Sequence, residues 1–277
     1  MTIIINGRQL GKEILEEVKG EISKLPFQPV FCDVLVGDDL ASTQYVNMKR
    51  KKAEEIGIRF HEATFPASIS NEELIEEIKK INKIENMCGI IVQLPLPEGI
   101  DRQKVLDAVD PALDVDCLST FSGDKFYNGD SLMGFPTALA IVHILDSLHV
   151  DLLDKKIVVM GFGKLVGKPV SALLQFRNLD VEVIRSKTED KEEILKKADV
   201  IISGIGKGKY IKGDMIKEGA IVIDAGSSEE DSLIVGDVDS ESVMNIASFL
   251  SPVPGGVGPV TVAMLLENVL KVAKNKK

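Results

Sequence analysis

The sequence is poor in the residues that stapled or metal-stabilised domains depend on. It has only three cysteines, Cys32, Cys88 and Cys117, which are odd in number and far apart. This usage is typical of reduced thiols in a cytoplasmic protein and does not indicate a disulfide framework. The three histidines show no ligand spacing with the cysteines, so we expect no metal site.

Long apolar runs and an excess of positive charge are also missing. No run is long enough to span a membrane, and the N-terminus has no small-residue cleavage site, so we expect neither a membrane protein nor a signal peptide. The formal net charge of −10 argues against nucleic acid as the main partner. The 277 residues, 44% of them hydrophobic, predict a soluble protein of two domains.

Helical and strand patterns alternate through the first half of the chain. Ser70 and Glu73 have the spacing of a capping box, which predicts a helix start. The predicted elements are a helix over 8–24, a strand over 29–37, a helix over 38–57, a strand over 58–65, a helix from Ser70 and a strand over 87–97. Such alternation predicts an α/β fold with a parallel, doubly wound sheet.

The pattern restarts in the second half. A strand, a glycine loop and a helix occupy 154–176, and three more buried strands are predicted over 180–186, 198–206 and 219–227. The chain closes with a Gly/Pro loop and a helix. The weakest periodicity lies over 118–135, which we interpret as the crossing between the domains.

Glycines follow the first strand of this second unit. Gly161, Gly163 and Gly167 allow a tight turn, a close approach of backbone to a diphosphate and a helix N-terminus aimed at negative charge. A purely structural turn is the alternative. The next strand ends in Arg185 and Ser186, where an NAD enzyme carries an acid, so the pattern favours NADP. Alternatively, Arg185 is a solvated residue at a strand end.

Polar residues also mark the first domain near predicted strand ends. Tyr45 and Lys49 share one helical face, Gln93 directly follows an apolar strand, and Asp114 and Asp116 flank Val115. Each has a bland alternative, because Lys49 could be a solvated charge, Gln93 a loop hydrogen bond and Asp116 a turn or helix cap.

Several specific motifs give the sequence a family resemblance. They are VGDDLASTQYVNMKRKKAEEIGI, GIIVQLPLP, DVD, the glycine loop ending in VGKP, GDMIKEGAIVIDAG, GDVD and PVPGGVGPVTVAMLLEN. In this order, over nearly the whole chain, they resemble the bifunctional methylenetetrahydrofolate dehydrogenase/methenyltetrahydrofolate cyclohydrolase family. The resemblance implies tetrahydrofolate substrates, NADP as cofactor with NAD possible, and a homodimer.

The resemblance also implies roles for individual residues. Tyr45 packs against the folate, Lys49 transfers protons, Gln93 positions Lys49, and Asp116 holds the pterin ring. Further substrate-binding positions are Pro254, Gly255, Gly256, Gly258, Pro259 and Thr261. Cofactor-binding positions are Gly161, Gly163, Lys164, Gly167, Arg185 and Ser186.

The implied architecture is a folate-binding domain and a Rossmann-like dinucleotide-binding domain, with the active site in the cleft between them. We expect residues 1–135, completed by helix 258–277, to form the first domain and residues 136–257 to form the second.

Some positions depart from the family pattern. Phe162 stands where the family usually has an arginine, and Arg185 where it often has a histidine; Cys117 replaces a glycine and Phe135 a threonine. These departures leave open a cyclohydrolase with weak or lost dehydrogenase activity. Two further alternatives are a non-catalytic dinucleotide-sensing module and a different NADP oxidoreductase resembling shikimate dehydrogenase.

Overall fold

The computed structural model describes residues 1–230 and 233–276. The secondary-structure elements, in chain order, are β1 (Ile3–Ile4), α1 (Gly7–Ile22), β2 (Val30–Val36), α2 (Leu40–Glu55), β3 (Arg59–Phe65), α3 (Asn71–Ile81), β4 (Met87–Val92), α4 (Arg102–Leu106), α5 (Thr120–Tyr127), α6 (Pro136–Ser147), β5 (Ile157–Met160), α7 (Gly167–Phe176), β6 (Val181–Ile184), α8 (Lys191–Leu195), β7 (Val200–Ser203), a 3-10 turn (Gly213–Met215), β8 (Ile221–Asp224), β9 (Ser228–Glu230), β10 (Leu233–Val235), α9 (Ser240–Val243), β11 (Phe249–Ser251) and α10 (Val257–Asn275).

The chain divides into two compact units. One comprises Glu13–Pro136 and Leu265–Lys277, and we call it the three-stranded unit after its sheet. The other comprises Met1–Lys12 and Thr137–Met264, and we call it the six-stranded unit. The predicted α/β class with two parallel-sheet domains is confirmed.

The three-stranded unit is built around β2, which lies between β3 and β4 in a parallel sheet. All seven residues of β2 are buried, as expected for a parallel strand covered on both faces. Because side chains alternate along a strand, Cys32, Val34 and Val36 enter one hydrophobic cluster. Asp33 therefore points to the opposite face of the sheet.

The six-stranded unit has the strand order β1-β11-β8-β7-β5-β6, with every pair parallel. From β5 the chain moves outward to β6 and then returns to the other side of β5 for β7. The order of strands thus reverses beside β5, and loops at the carboxyl ends of the strands beside such a reversal commonly bind ligands.

Two parts of the fold differ from the sequence predictions. The 118–135 segment contains helix α5, which Ser119 begins by accepting a hydrogen bond from the Ser122 backbone N–H. Residues 1–12, predicted in the first domain, lie in the six-stranded unit because β1 pairs with β11. The chain passes between the units within α10 as well, after Met264.

The three cysteines are free and buried. No helix in the described part of the chain is long and apolar enough to cross a membrane.

Candidate functional site

A buried lysine marks the site in the three-stranded unit. Lys49 lies on α2, and only 3% of its surface is exposed, although the neighbouring Lys51 is exposed. Val46 and Ala53 are buried on the same helix, so spacings of three and four residues turn Lys49 towards the sheet. The helix begins at Asp39, whose carboxylate accepts from the Ser42 backbone N–H at 2.7 Å.

Gln93, the residue directly after β4, holds the lysine in place. Lys49 Nζ donates to Gln93 Oε1 at 2.7 Å, and Gln93 Nε2 donates to the Leu94 carbonyl at 2.7 Å. The Gln93 backbone N–H donates to the Val34 carbonyl. Both ends of the amide are occupied, which fixes its carbonyl oxygen towards the ammonium group.

Asp33 is a second partner of the lysine, and the sequence analysis did not identify it. Lys49 Nζ lies 2.5 Å from Asp33 Oδ2, and the Asp33 side chain is fully buried. The contact is an ion pair by distance, but neither carboxylate oxygen has a well-directed hydrogen bond among the described residues. Burial raises the pKa of Asp33, and Lys49 opposes that shift. The available signal was a single charged residue inside an otherwise apolar strand.

Tyr45 lies one helical turn before Lys49 on α2. The centre of its ring is 4.9 Å from Lys49 Nζ, and the side chain remains 39% exposed. Its surroundings raise the pKa of the hydroxyl to about 12, first through desolvation and then through the charges of Asp116 and Asp33. The hydroxyl therefore stays protonated at neutral pH, and the ring offers an exposed surface beside the ammonium group.

The DVD triplet places two carboxylates in different environments. Asp114 is structural, since it accepts hydrogen bonds from the backbone N–H groups of Leu118 and Ser119. Asp116 is half-buried, and desolvation raises its pKa to about 7, while Lys49 opposes the rise. Cys117 has φ +59, a left-handed conformation that favours glycine. This backbone conformation accounts for the glycine that the resembled family carries at this position.

The glycine loop joins β5 to α7 in the six-stranded unit. Gly161 has φ +96, and a Cβ there would lie 3.0 Å from the Gly204 carbonyl oxygen at the end of β7. A Cβ on Gly167 would collide with the Gly161 carbonyl, whereas a Cβ on Gly163 would meet nothing within 4 Å. The backbone is thus tightly packed at Gly161 and Gly167, whereas there is free space beside Gly163. Helix α7 begins after Val166, which provides no side-chain hydrogen bond to its first turn.

Arg185 lies beside this loop. The Gly161 N–H donates to the Ile184 carbonyl at 2.9 Å, which brings the end of β6 to the loop. The Arg185 guanidinium carbon is 4.2 Å from the centre of the Phe162 ring. Ser186 and Lys164 are exposed near the same edge of the sheet. Phe162 therefore stacks on the cation that follows β6.

The Pro/Gly loop connects β11 to α10 in the same unit. Gly256 N–H donates to the Pro252 carbonyl at 2.8 Å, and Gly255 has φ +104. Gly258 and Pro254 are exposed, Pro259 is partly buried, and Thr261 donates to the Val257 carbonyl. These residues lie in the six-stranded unit and the part of α10 from Leu265 lies in the three-stranded unit, whereas the prediction placed the whole helix 258–277 in the folate domain.

The predicted residues thus form groups within each unit. Tyr45, Lys49, Gln93 and Asp116 meet in the three-stranded unit, with Asp33 added. The glycine loop, Arg185 and the Pro/Gly loop follow strands of the six-stranded unit. Among the described residues, no cluster of three or more His, Cys, Asp or Glu could hold a metal ion.

Comparison with known proteins matches both parts of the chain to one family. Residues 5–116 match the catalytic domain of tetrahydrofolate dehydrogenase/cyclohydrolase, and residues 136–277 match its NAD(P)-binding domain. A "Bifunctional protein FolD" of Nautilia profundicola is 42% identical over 276 residues, covering 98% of this chain and 97% of the relative. A protein of the same name from Acetivibrio thermocellus is 41% identical, covering 98% and 96%.

Solved structures of the same family are also similar to this chain. The bifunctional enzyme FolD, a methylenetetrahydrofolate dehydrogenase/cyclohydrolase from Campylobacter jejuni, has a TM-score of 0.95 at 36% identity, covering 99% of both chains. The Trypanosoma brucei methylenetetrahydrofolate dehydrogenase-cyclohydrolase, complexed with NADP and an inhibitor, has a TM-score of 0.93 at 33% identity, covering 99% of this chain and 98% of that one. Together with the two domain matches, these similarities show that the chain belongs to the tetrahydrofolate dehydrogenase/cyclohydrolase family.

Proposed function

We propose that the protein oxidises 5,10-methylenetetrahydrofolate to the 5,10-methenyl form with NADP, and then hydrolyses the methenyl form to 10-formyltetrahydrofolate. The observation that carries this proposal is the buried Lys49 held against Gln93 Oε1 at 2.7 Å, inside the domain that matches the family's catalytic domain. An ammonium group is costly to bury without partners, and a buried, paired lysine within a catalytic domain is a candidate for proton transfer.

The residues around that lysine bind the folate. The exposed ring of Tyr45 packs against the pterin or its neighbouring ring, and Asp116 accepts hydrogen bonds from pterin N–H donors. The Pro254–Pro259 loop, with Gly255, Gly256 and Gly258 lacking side chains, lets backbone lie against folate and cofactor. Thr261 follows this loop on the first turns of α10.

The six-stranded unit fits a dinucleotide. The gap left at Gly163 and the uncapped start of α7 at Gly167 are suited to a diphosphate. Gly161, Lys164, Arg185 and Ser186 complete the set that we propose to hold the cofactor. When bound, NADP supplies the nicotinamide that accepts hydride from the methylene carbon.

Arg185 is the residue that we propose to favour NADP over NAD. Its guanidinium group is exposed at the edge that follows β6 and is kept there by the Phe162 ring. A guanidinium group at this point can pair with a 2′-phosphate. Phe162 thus supports the cation in place of the arginine expected from the family pattern.

Hydrolysis is the step that requires proton transfer. Water adds to the methenyl carbon, the bond from that carbon to N5 breaks, and one proton is released overall. In its neutral form, Lys49 Nζ accepts a proton from the attacking water, and the ammonium group so formed returns one to N5 as the ring opens. Gln93 and Asp33 keep Nζ in place during these transfers.

The alternatives fit less well. A sensing module would not need a lysine buried between an amide and a carboxylate, and the family match spans both domains. The shikimate dehydrogenase likeness has a TM-score of 0.51 at 14% identity and shows only a shared fold. We propose the cytoplasmic location from the cysteine usage and the homodimer from the resemblance, and light scattering on the purified protein would test the homodimer.

The test of the function is an assay of the purified protein with methylenetetrahydrofolate and, separately, with the methenyl form. We expect NADP-dependent oxidation and cofactor-independent hydrolysis. Lys49→Met should reduce hydrolysis roughly 10²–10⁴-fold, the contribution of one general acid–base group. Lys51→Met, on the same helix but exposed, is the matched control and should hydrolyse at the wild-type rate. Hydrolysis by Lys49→Met within a factor of a few of wild type would refute the role.

A further inference from the structure

Asp33 occupies a position where a carboxylate is expensive. It lies in the middle of the central strand β2, between β3 and β4, and its side chain is fully buried. Burying a charged group without a partner is unfavourable, so buried carboxylates are usually found paired. The apolar neighbours Phe31 and Leu35, two residues away on the same face, show that a hydrophobic side chain fits this surface.

The partner that compensates Asp33 is the lysine of the proposed proton transfer. Lys49 Nζ is 2.5 Å from Asp33 Oδ2 and 2.7 Å from Gln93 Oε1. The Gln93 amide contacts the nitrogen from one side and the Asp33 carboxyl group from another. These two contacts limit the directions in which Lys49 Nζ can donate or accept a proton. Neither carboxylate oxygen of Asp33 has a hydrogen-bond partner that meets the usual geometry among the described residues.

Other ionisable groups also lie near Lys49. Asp116 interacts with it electrostatically, and its own pKa of about 7 leaves it only partly ionised at neutral pH. Asp114 and Arg102 act on Asp116, and Tyr45 stays neutral. On β3, Glu62 is engaged with Arg50 at 3.2 Å. Asp33 is therefore the carboxyl group in direct contact with Lys49 Nζ.

We propose that Asp33 is a positioning residue for the hydrolytic step: it holds Lys49 Nζ beside Gln93 in the place from which that nitrogen transfers protons. The proposal rests on the function assigned to Lys49 above. Asp33 does not touch the substrate in this scheme and acts only through the lysine. Hydride transfer needs alignment of the reacting carbons but no base, so Asp33 is not required for the oxidation.

The test compares Asp33→Asn, which keeps the shape, with Asp33→Val, which suits the apolar strand. Misplacing a catalytic group by about 1 Å can cost on the order of 10²-fold in rate. Without the Asp33 carboxyl group, we expect the hydrolysis rate to fall about ten- to a hundredfold and the hydrolysis pH–rate profile to change position. The KM for the methenyl substrate and the NADP-dependent oxidation should change less than threefold.

Several results would overturn the proposal. A pH–rate profile in the wild-type position, at any rate, would mean that Asp33 is only structural. The same holds if neither variant folds while Lys49→Met does. Failure of the proposed function is a separate outcome, because it would appear as absent hydrolysis in the wild-type protein. A shifted profile in either variant, with oxidation retained as evidence of folding, supports the proposal.

Discussion

Asp116 ends the DVD triplet in surroundings that favour the neutral acid. Desolvation raises its pKa to about 7, and the ionised form is the one that accepts pterin N–H donors. We therefore expect folate affinity to rise as pH increases from 6 to 8 and to level off above the pKa. Asp116→Asn should weaken folate binding about ten- to a hundredfold, because hydrogen bonds to charged groups contribute roughly 1.5–3 kcal/mol.

Calorimetry against pH measures this effect, and NADP binding is the control. NADP affinity should be nearly unchanged in Asp116→Asn, and the pH dependence of folate binding should disappear. The pKa of Asp116 in the folded protein lies above its ordinary value of 3.8, so the folded protein binds an extra proton between those two pH values. The same residue therefore contributes stability below about pH 4 that is lost as pH rises through about 7. Undiminished folate binding by Asp116→Asn would exclude the assigned role.

The sequence identified some of these residues and not others for physical reasons. Lys49 and Gln93 stand out because a charge at helical spacing and an amide after an apolar strand are visible locally. Asp33 contacts Lys49 across sixteen positions of the chain, and its burial depends on strands that pair on both sides. A lone aspartate in the run VFCDVLV predicts a buried charge only once the facing helix is known.

Elements of the three-stranded unit are tied together by a buried side chain on α10. Asn268 is fully buried, and its Nδ2 donates to the carbonyls of Val115 at 2.9 Å and Gly134 at 2.8 Å. Val115 precedes Asp116, so this amide supports the backbone that carries the proposed pterin ligand. The last helix thereby connects with the DVD segment.

Removing this amide should destabilise the protein. Asn268→Ala leaves two buried carbonyls without donors, each costing about 1–3 kcal/mol, and we expect a loss of roughly 2–6 kcal/mol. The midpoint of urea denaturation measures the change. Asn275→Ala is the matched control, since its amide donates to the Lys271 carbonyl at an exposed site of the same helix. An unchanged midpoint for Asn268→Ala would show that water replaces the lost donor.

Regular elements were predictable where periodicity is long and local. The capping box at Ser70 begins α3 as predicted, with Ser70 Oγ accepting from the Glu73 N–H. Helix α5 was not predicted because its eight residues are too few for a clear period and include a glycine. Strand β1 has two residues, and its partner β11 lies about 245 positions away, which no local pattern records.

At the scale of the whole molecule, the proposed chemistry is divided between the units. The proton-transfer lysine and its partners belong to the three-stranded unit, and the glycine loop with Arg185 belongs to the six-stranded unit. The two reactions should therefore respond separately to substitutions in each unit. Substitutions in each unit therefore also distinguish a bifunctional enzyme from a cyclohydrolase that has lost its dehydrogenase activity.

We expect opposite patterns of loss from Arg185→Ala and Lys49→Met. Arg185→Ala should reduce oxidation with NADP by about one to two powers of ten, because a charged hydrogen bond to the 2′-phosphate is lost. Oxidation with NAD and hydrolysis of the methenyl form should stay near wild type. Lys49→Met should lose hydrolysis while retaining oxidation. Steady-state rates with NADP, with NAD and with the methenyl substrate measure all three.

Lys187→Ala is the matched control for this experiment, since it removes an exposed cation two residues along without removing the side chain that Phe162 supports. A similar loss in Lys187→Ala would mean that general positive charge, and not Arg185 itself, attracts NADP. Equal losses with NADP and NAD in Arg185→Ala would mean that this arginine supports the loop or the diphosphate. A wild-type preference for NAD would contradict the assignment outright, because the 2′-phosphate is the one group that requires the cation after β6.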